Sequence, residues 1–126
     1  MRNLVAQLYG GSWRRSVQKA AELVQAEEAE QVVQDLTRSS GWRERVVAAK
    51  LVSAFGLRHC VAPLVRTFAA GPENYTAIAF ATLLAEVEVP DKDQLLGQLR
   101  AACPDSSYGK HLLEVIQNAS AASPES

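Results

Sequence analysis

The sequence predicts an all-α fold in which antiparallel helix pairs repeat along the chain. Three observations favour this fold class. Apolar residues recur at helical spacing over several segments, and clusters of glycine, serine and proline separate these segments. No run of β-branched residues alternates with polar residues as it would in a strand. We therefore expect each pair to bury its apolar flank against the next pair, since a lone helical hairpin leaves that flank in water.

The clearest helix is predicted over Trp42–Phe55, where no residue breaks the helical pattern and Gly56 follows as a left-handed cap. Leu51 and Phe55 lie on one apolar stripe, and further apolar residues widen it over most of the circumference. A helix of this kind must be covered on more than one side. We expect a narrow polar strip formed by Arg43, Lys50 and Ser53.

The second helix of this pair is expected from about His59 to Ala70, with Cys60 and Leu64 on its apolar face. Pro63 is tolerated in the first turn of a helix, where its missing N–H needs no partner. The helix is therefore predicted to begin near Cys60 or later, with His59 in the turn.

The central segment recurs at a period of about 30 residues, a length typical of helical repeats. Lys19–Val24 aligns with Val47–Val52, and Phe80–Leu84 and His111–Ile116 repeat the pattern. We predict a single domain over residues 1–118 and a disordered tail over residues 119–126. The other expected helices are a stub at Asn3–Tyr9, a partner helix at Ala26–Arg38, a third partner helix with Asp91 as its N-cap, and a last helix at Ser107–Asn118.

The segment RVVAAKLVSAFGLRHCVAPLVRTF resembles HEAT repeats of the short bacterial kind, and is similar to the HEAT-like units of phycobilin lyases. In those repeats an Ala-rich first helix ends in Leu and a closing Gly, and the second helix starts with a Val-x-Pro-Leu pattern, matched here by Val61-Ala62-Pro63-Leu64. The likeness covers residues 42–70 and 12–38, and extends to 74–103 without the closing glycine or the second-helix proline. It implies a right-handed α-solenoid of three to four HEAT-like antiparallel pairs.

Composition narrows the class of protein. The 126 residues carry a net charge of −1, which argues against the whole surface binding nucleic acid. No apolar run approaches the roughly 18 residues of a membrane span. The first residues, MRNLVAQLYGG, are too short and too polar for a signal peptide, so a cytoplasmic location is expected.

Catalytic and metal-binding patterns are not evident in the sequence. No phosphate loop, nucleophile elbow or dinucleotide fingerprint occurs. His59 and His111 have no carboxylate or cysteine at ligand spacing, and Cys60 and Cys103 are expected to be small buried hydrophobes. We therefore predict a protein that is not an enzyme, with no cofactor and no metal.

The expected function is a protein-interaction scaffold or adaptor that binds a partner in the groove lined by the second helices. A first alternative is nucleic-acid binding by a basic face of the first helices, and a second is an accessory role beside a chromophore lyase, suggested by the repeat type alone. The expected partner-binding residues are Gln31, Gln34, Arg38, His59, Arg66, Gln94 and Gln98. The alternative basic face comprises Arg14, Arg15, Arg43, Arg45 and Lys50.

Overall fold

The computed structural model describes residues 2–39, 41–67, 76–101 and 107–121, and all regular structure within these ranges is helical. The expectations for residues 68–70, 71–72, 103, 104–106 and 122–126 lie outside the described residues. The described ranges contain the helices α1 Arg2–Leu8, α2 Trp13–Leu23, α3 Ala26–Arg38, α4 Trp42–Phe55, α5 Arg58–Val65, α6 Thr76–Glu86, α7 Lys92–Ala101 and α8 Ser107–Ala121. The all-α prediction is confirmed.

Helix α4 lies at the centre of the molecule. Its side chains from 46 to 52 are all buried, which places most of its circumference against other helices. It packs against α1, α2, α3, α5 and α6. Gly56 ends it in the left-handed conformation, with φ of 62°. The prediction that this helix needs cover on several sides is confirmed, because its small alanines and branched side chains leave almost no polar surface to meet water.

The first helices of the expected pairs pack in chain order, α2 on α4, α4 on α6 and α6 on α8. Among the second helices, α3 packs most extensively on α4 and contacts α2 little, while α5 contacts α3, α4 and α6. Helix α7 packs on α6 and α8. Helices α3 and α5 are therefore neighbours that share α4 as their support.

Helix α5 begins earlier than predicted. The chain turns directly after Gly56, and the Cys60 N–H donates to the Leu57 carbonyl at 2.9 Å, so the helix starts at Arg58. Pro63 consequently lies inside the helix and not in its first turn, where it removes the backbone hydrogen bond that residue 63 would donate to the His59 carbonyl. The predicted start near Cys60 is wrong because the short left-handed turn leaves no room for His59 outside the helix.

The last helix also differs from its predicted extent. Helix α8 continues past Asn118 to Ala121, and the Ala119 side chain is fully buried in the core. Helix α8 therefore includes the first three residues of the segment for which a disordered tail is predicted. Alanine carries no polar signal that would mark a boundary, and it favours helix where a neighbouring helix covers it.

Lys50 is the largest departure from the expected pattern of exposure. Its side chain is 3% exposed, and its Nζ donates to the carbonyls of Leu8 at 2.7 Å and Tyr9 at 2.8 Å and to Ser16 Oγ at 3.2 Å. The two carbonyls lie at the C-terminal end of α1, where the helix dipole favours a cation. The prediction that Lys50 lies in a solvent-facing polar strip is wrong, because α1 covers that side of α4.

Candidate functional site

A depression of about 230 Å³ lies between α3 and α5. Both helices present apolar side chains to its floor and polar side chains to its rim. We call it the α3–α5 depression, and its lining consists of Val33, Gln34, Thr37, Arg38, His59, Cys60 and Pro63. The early start of α5 contributes directly to it, since His59 projects from the first turn of that helix and not from the preceding loop.

A second depression, of about 350 Å³, lies on the other side of α5. It separates α5 from the segment that leads into α7, and we call it the α5–α7 depression. Its lining consists of Arg58, His59, Ala62, Val89, Pro90 and Asp91. His59 lines both depressions, so the two form one surface, which we name the second-helix surface.

The expected partner-binding residues are placed unevenly on this surface. Gln34, Arg38 and His59 line the α3–α5 depression. Arg66 lies beside the α5–α7 depression, where its Nη2 is 3.5 Å from Asp91 Oδ2. The three remaining residues, Gln31 on α3 and Gln94 and Gln98 on α7, are exposed but line neither depression.

Carboxylates of α3 orient its polar side chains. Gln31 Nε2 donates to Asp35 Oδ1 at 3.0 Å, and Gln34 Nε2 donates to Glu30 Oε2 at 3.3 Å, each one helical turn away. Arg38 Nη1 lies 3.5 Å from Asp35 Oδ1. These exposed contacts contribute little to stability, but they hold the rim in a defined arrangement.

The side chains of Glu30, His59 and Cys60 meet at the edge of the α3–α5 depression. His59 Nε2 lies 3.1 Å from Glu30 Oε2, and one ligand atom from each of the three residues lies within 4.8 Å of the other two. Glu30 and His59 are about half exposed, whereas Cys60 is 6% exposed. The expectation that His59 has no carboxylate or cysteine at ligand spacing is therefore wrong in space, because Glu30 reaches His59 from a different helix.

The sequence contains only an ambiguous signal for this cluster. Glu30 and His59 are 29 residues apart, as are Trp13 and Trp42, which begin α2 and α4. The alignment of Lys19–Val24 with Val47–Val52 has an offset of 28 residues, which makes Gln31 and not Glu30 the equivalent of His59. The repeat alone therefore does not place a carboxylate beside His59.

Burial and the nearby Glu30 carboxylate raise the pKa of the Cys60 thiol above its ordinary value of 9.0. A thiol of this kind stays protonated at neutral pH and is a weak nucleophile, because the thiolate is the reactive form. The three side chains therefore lack the activated sulfur that a cysteine hydrolase needs. They do combine the atoms that bind a transition metal.

The residues of the alternative basic face do not form one exposed surface. Arg14 and Arg15 are exposed on α2, and Arg43 is exposed on α4. The Arg45 side chain is partly buried, with its Nε enclosed and without a hydrogen-bond partner, and Lys50 is buried beneath α1. Two of the five cations are thus withdrawn from solvent.

The aromatic residues near this face line a third depression, of about 410 Å³, between the α1–α2 turn, α4 and α6. Its aromatic lining comes from Tyr9, Trp13 and Trp42. The ring centroids of Tyr9 and Trp42 are 5.2 Å apart in an edge-to-face arrangement, and the Arg43 guanidinium carbon lies 5.6 Å from the Tyr9 ring centroid. These contacts attach the α1–α2 turn to α4.

No protein-family model matches the chain, and neither a curated protein nor a solved structure matches it. No helix in the described ranges is both long enough and apolar enough to cross a membrane.

Proposed function

We propose that the protein is a non-enzymatic scaffold or adaptor that binds a partner protein through the second-helix surface. The observation that carries this proposal is the pair of depressions on either side of α5, joined at His59. Their apolar floor and charged rim have the composition of a protein-binding patch, in which buried apolar contacts supply affinity and the polar rim supplies specificity.

The fold proposed with this function is a right-handed α-solenoid of HEAT-like pairs. Two observations support it, namely the packing of α2, α4, α6 and α8 in chain order and the contact between α3 and α5. In a solenoid, second helices line one continuous face, and such a face suits the recognition of an extended partner.

The charges at the surface favour a partner segment with carboxylates placed near Arg38 and Arg58. Arg38 is exposed and lines the α3–α5 depression, and Arg58 is exposed and lines the α5–α7 depression. Arginine recognises carboxylates through two parallel hydrogen bonds, so each could add specificity at the rim.

Capture of partners from the native lysate tests this proposal with a matched pair of variants. Arg38→Glu reverses a charge on the second-helix surface, and Arg15→Glu reverses a charge on α2, away from both depressions; both side chains are exposed. We expect a protein that is retained by the wild type and by Arg15→Glu and is released by Arg38→Glu. Equal retention by both variants would contradict the assignment of the surface.

The nucleic-acid alternative is tested with the same two variants. Binding of a DNA duplex through α2 would weaken with rising salt and with Arg15→Glu, and would be insensitive to Arg38→Glu. The burial of Lys50 counts against this alternative.

The chromophore-lyase alternative predicts a pigment that copurifies with the protein and absorbs visible light.

A further inference from the structure

The Glu30, His59 and Cys60 cluster combines three different donor types, a carboxylate oxygen, an imidazole nitrogen and a sulfur. Hard cations such as Mg²⁺ and Ca²⁺ select oxygen ligands, whereas imidazole and thiolate together select Zn²⁺ and related transition metals. The chemistry of the donors therefore points to a zinc-type ion.

The distances fit such an ion after a small adjustment. Two ligands with the usual Zn–N and Zn–O lengths lie about 3.4 Å apart in a tetrahedron, and His59 Nε2 and Glu30 Oε2 are 3.1 Å apart. A thiolate sulfur would lie about 3.6 Å from either of them, and the three ligand atoms are within 4.8 Å of one another. The remaining difference, at most about 1.2 Å for the sulfur, must be closed by movement of these side chains when the ion binds.

The surroundings of the cluster provide both an orienting contact and an open position. Gln34 Nε2 donates to Glu30 Oε2 at 3.3 Å, the kind of second hydrogen bond that holds a ligating carboxylate in place. His59 and Cys60 line the α3–α5 depression, so a fourth ligand can approach from that side. Three protein ligands with one accessible position are typical of zinc sites that bind an exogenous molecule.

We infer that Glu30, His59 and Cys60 form a binding site for Zn²⁺, with its fourth coordination position open to the α3–α5 depression. The site takes the thiolate of Cys60, the neutral imidazole of His59 and the Glu30 carboxylate, and the Cys60 proton is released to solvent when the metal binds. Metal binding needs no partner protein, so it holds or fails independently of the proposed scaffold function.

An ion pair between His59 and Glu30 is the simpler explanation of their contact, and the chain offers an internal comparison for it. His111 Nδ1 lies 3.9 Å from Glu114 Oε1 on α8, and both side chains are exposed. That pair belongs to no such three-ligand group within the described residues. His111→Gln is therefore the matched control for His59→Gln.

Cobalt titration of the chelator-treated protein tests the inference. In a Cys103→Ser background, Cys60 is the only thiol of the chain. We expect a single Co²⁺ ion per chain, a near-ultraviolet thiolate-to-cobalt absorption band, and visible bands of the intensity typical of four-coordinate cobalt. Stoichiometric Zn²⁺ should displace the cobalt and abolish these bands. No thiolate band with excess Co²⁺ would overturn the site.

Variants of the ligands separate a metal site from fortuitous binding. We expect Glu30→Gln and His59→Gln each to weaken Co²⁺ binding more than tenfold, and Gln34→Ala, which removes the orienting hydrogen bond, to weaken it by about tenfold. Glu30 and His59 are exposed enough for these substitutions to leave the helices intact, which far-ultraviolet circular dichroism checks. Equal affinity in His59→Gln and His111→Gln would overturn the inference.

Discussion

The pKa values of two buried groups, Cys60 and Lys50, are shifted by folding, and the two shifts change the stability of the protein in opposite directions as pH rises. Burial and Glu30 raise the pKa of Cys60 above 9.0, so the folded chain holds this proton more tightly than the unfolded chain does. Burial lowers the pKa of Lys50 from 10.5, so the folded chain releases that proton more readily. Measurements of stability against pH must therefore isolate one group at a time.

The Cys60 contribution is fully present below pH 9.0 and is lost as pH rises through the pKa of the folded state. We expect the free energy of unfolding of the wild type, measured by urea denaturation, to fall above that pH relative to Cys60→Ser. Both chains carry Cys103→Ser, so that other groups titrate equally. Parallel curves of unfolding free energy against pH for the two chains, between about pH 8 and pH 10, would contradict a raised pKa for the Cys60 thiol.

At the scale of single elements, Lys50 attaches α1 to the body of the protein. Its three oxygen partners satisfy the three N–H donors of the ammonium group and offset the cost of removing the charge from water. Those partners include two backbone carbonyls, that of Leu8 in a buried contact and that of Tyr9 in a partly buried one. The loss of the ammonium would therefore leave acceptors without a donor.

We predict that Lys50→Met lowers the free energy of unfolding by about 1–3 kcal/mol and increases amide exchange within α1. Lys19→Met is the control, since Lys19 is exposed on α2 and its replacement should change stability by less than about 0.5 kcal/mol. Greater stability of Lys50→Met would mean that the desolvation of the charge outweighs its hydrogen bonds.

We expect replacement by alanine to have opposite effects on stability at Gly56 and at Gly97. Gly56 has φ of 62°, and an added Cβ meets no atom within 4 Å, so Gly56→Ala is penalised by conformation alone, at about 1–2 kcal/mol. Gly97 lies on the exposed side of α7 with equally open surroundings, so Gly97→Ala should stabilise by about 1 kcal/mol. Thermal denaturation compares the two, and a midpoint that rises with Gly56→Ala would contradict the left-handed cap.

The helices were predictable because their signals are local. Gly56 marks the end of α4, and Asp91 directly precedes α7 as expected for an N-cap. Lys50 was misassigned because a lysine in an apolar sequence usually reaches water, and only the position of α1 shows that backbone carbonyls replace that water.

The candidate site was predictable in part. The polar side of α3 identified Gln34 and Arg38, which do line a depression. The meeting of Glu30 with His59 depends on how α3 and α5 stack, and sequence spacing along one helix does not contain that information. Gln94 and Gln98 are exposed on α7 but line neither depression, because the segment before α7 approaches α5 through Val89 and Pro90.

At the scale of the whole molecule, α4 connects the two ends of the chain. It contacts α1 and α2, which precede it in the chain, and α6, which follows it. Its Leu51 side chain is fully buried. A perturbation of its core positions should therefore affect every described helix together. A single unfolding transition would distinguish the protein from a repeat array whose units unfold separately.

We predict that Leu51→Ala lowers the free energy of unfolding by about 2–5 kcal/mol, with tryptophan fluorescence and far-ultraviolet circular dichroism showing one coincident transition. Phe55→Ala should lower the free energy of unfolding by an amount nearer the lower end of the same range, since Phe55 is only partly buried. Leu23→Ala is the control, because Leu23 is 44% exposed. Separate transitions for the two probes would contradict the central role of α4.

Partner binding by the second-helix surface is tested most directly by nuclear magnetic resonance of the protein during titration with its captured partner. The chain has two tryptophans, and both line the depression by the first helices, so their indole signals report on that side. We predict shifts at the amides of Gln34, Arg38, His59 and Cys60, with the indole signals unchanged. Shifts of the indole signals with unchanged α3 and α5 amides would contradict partner binding by the second-helix surface.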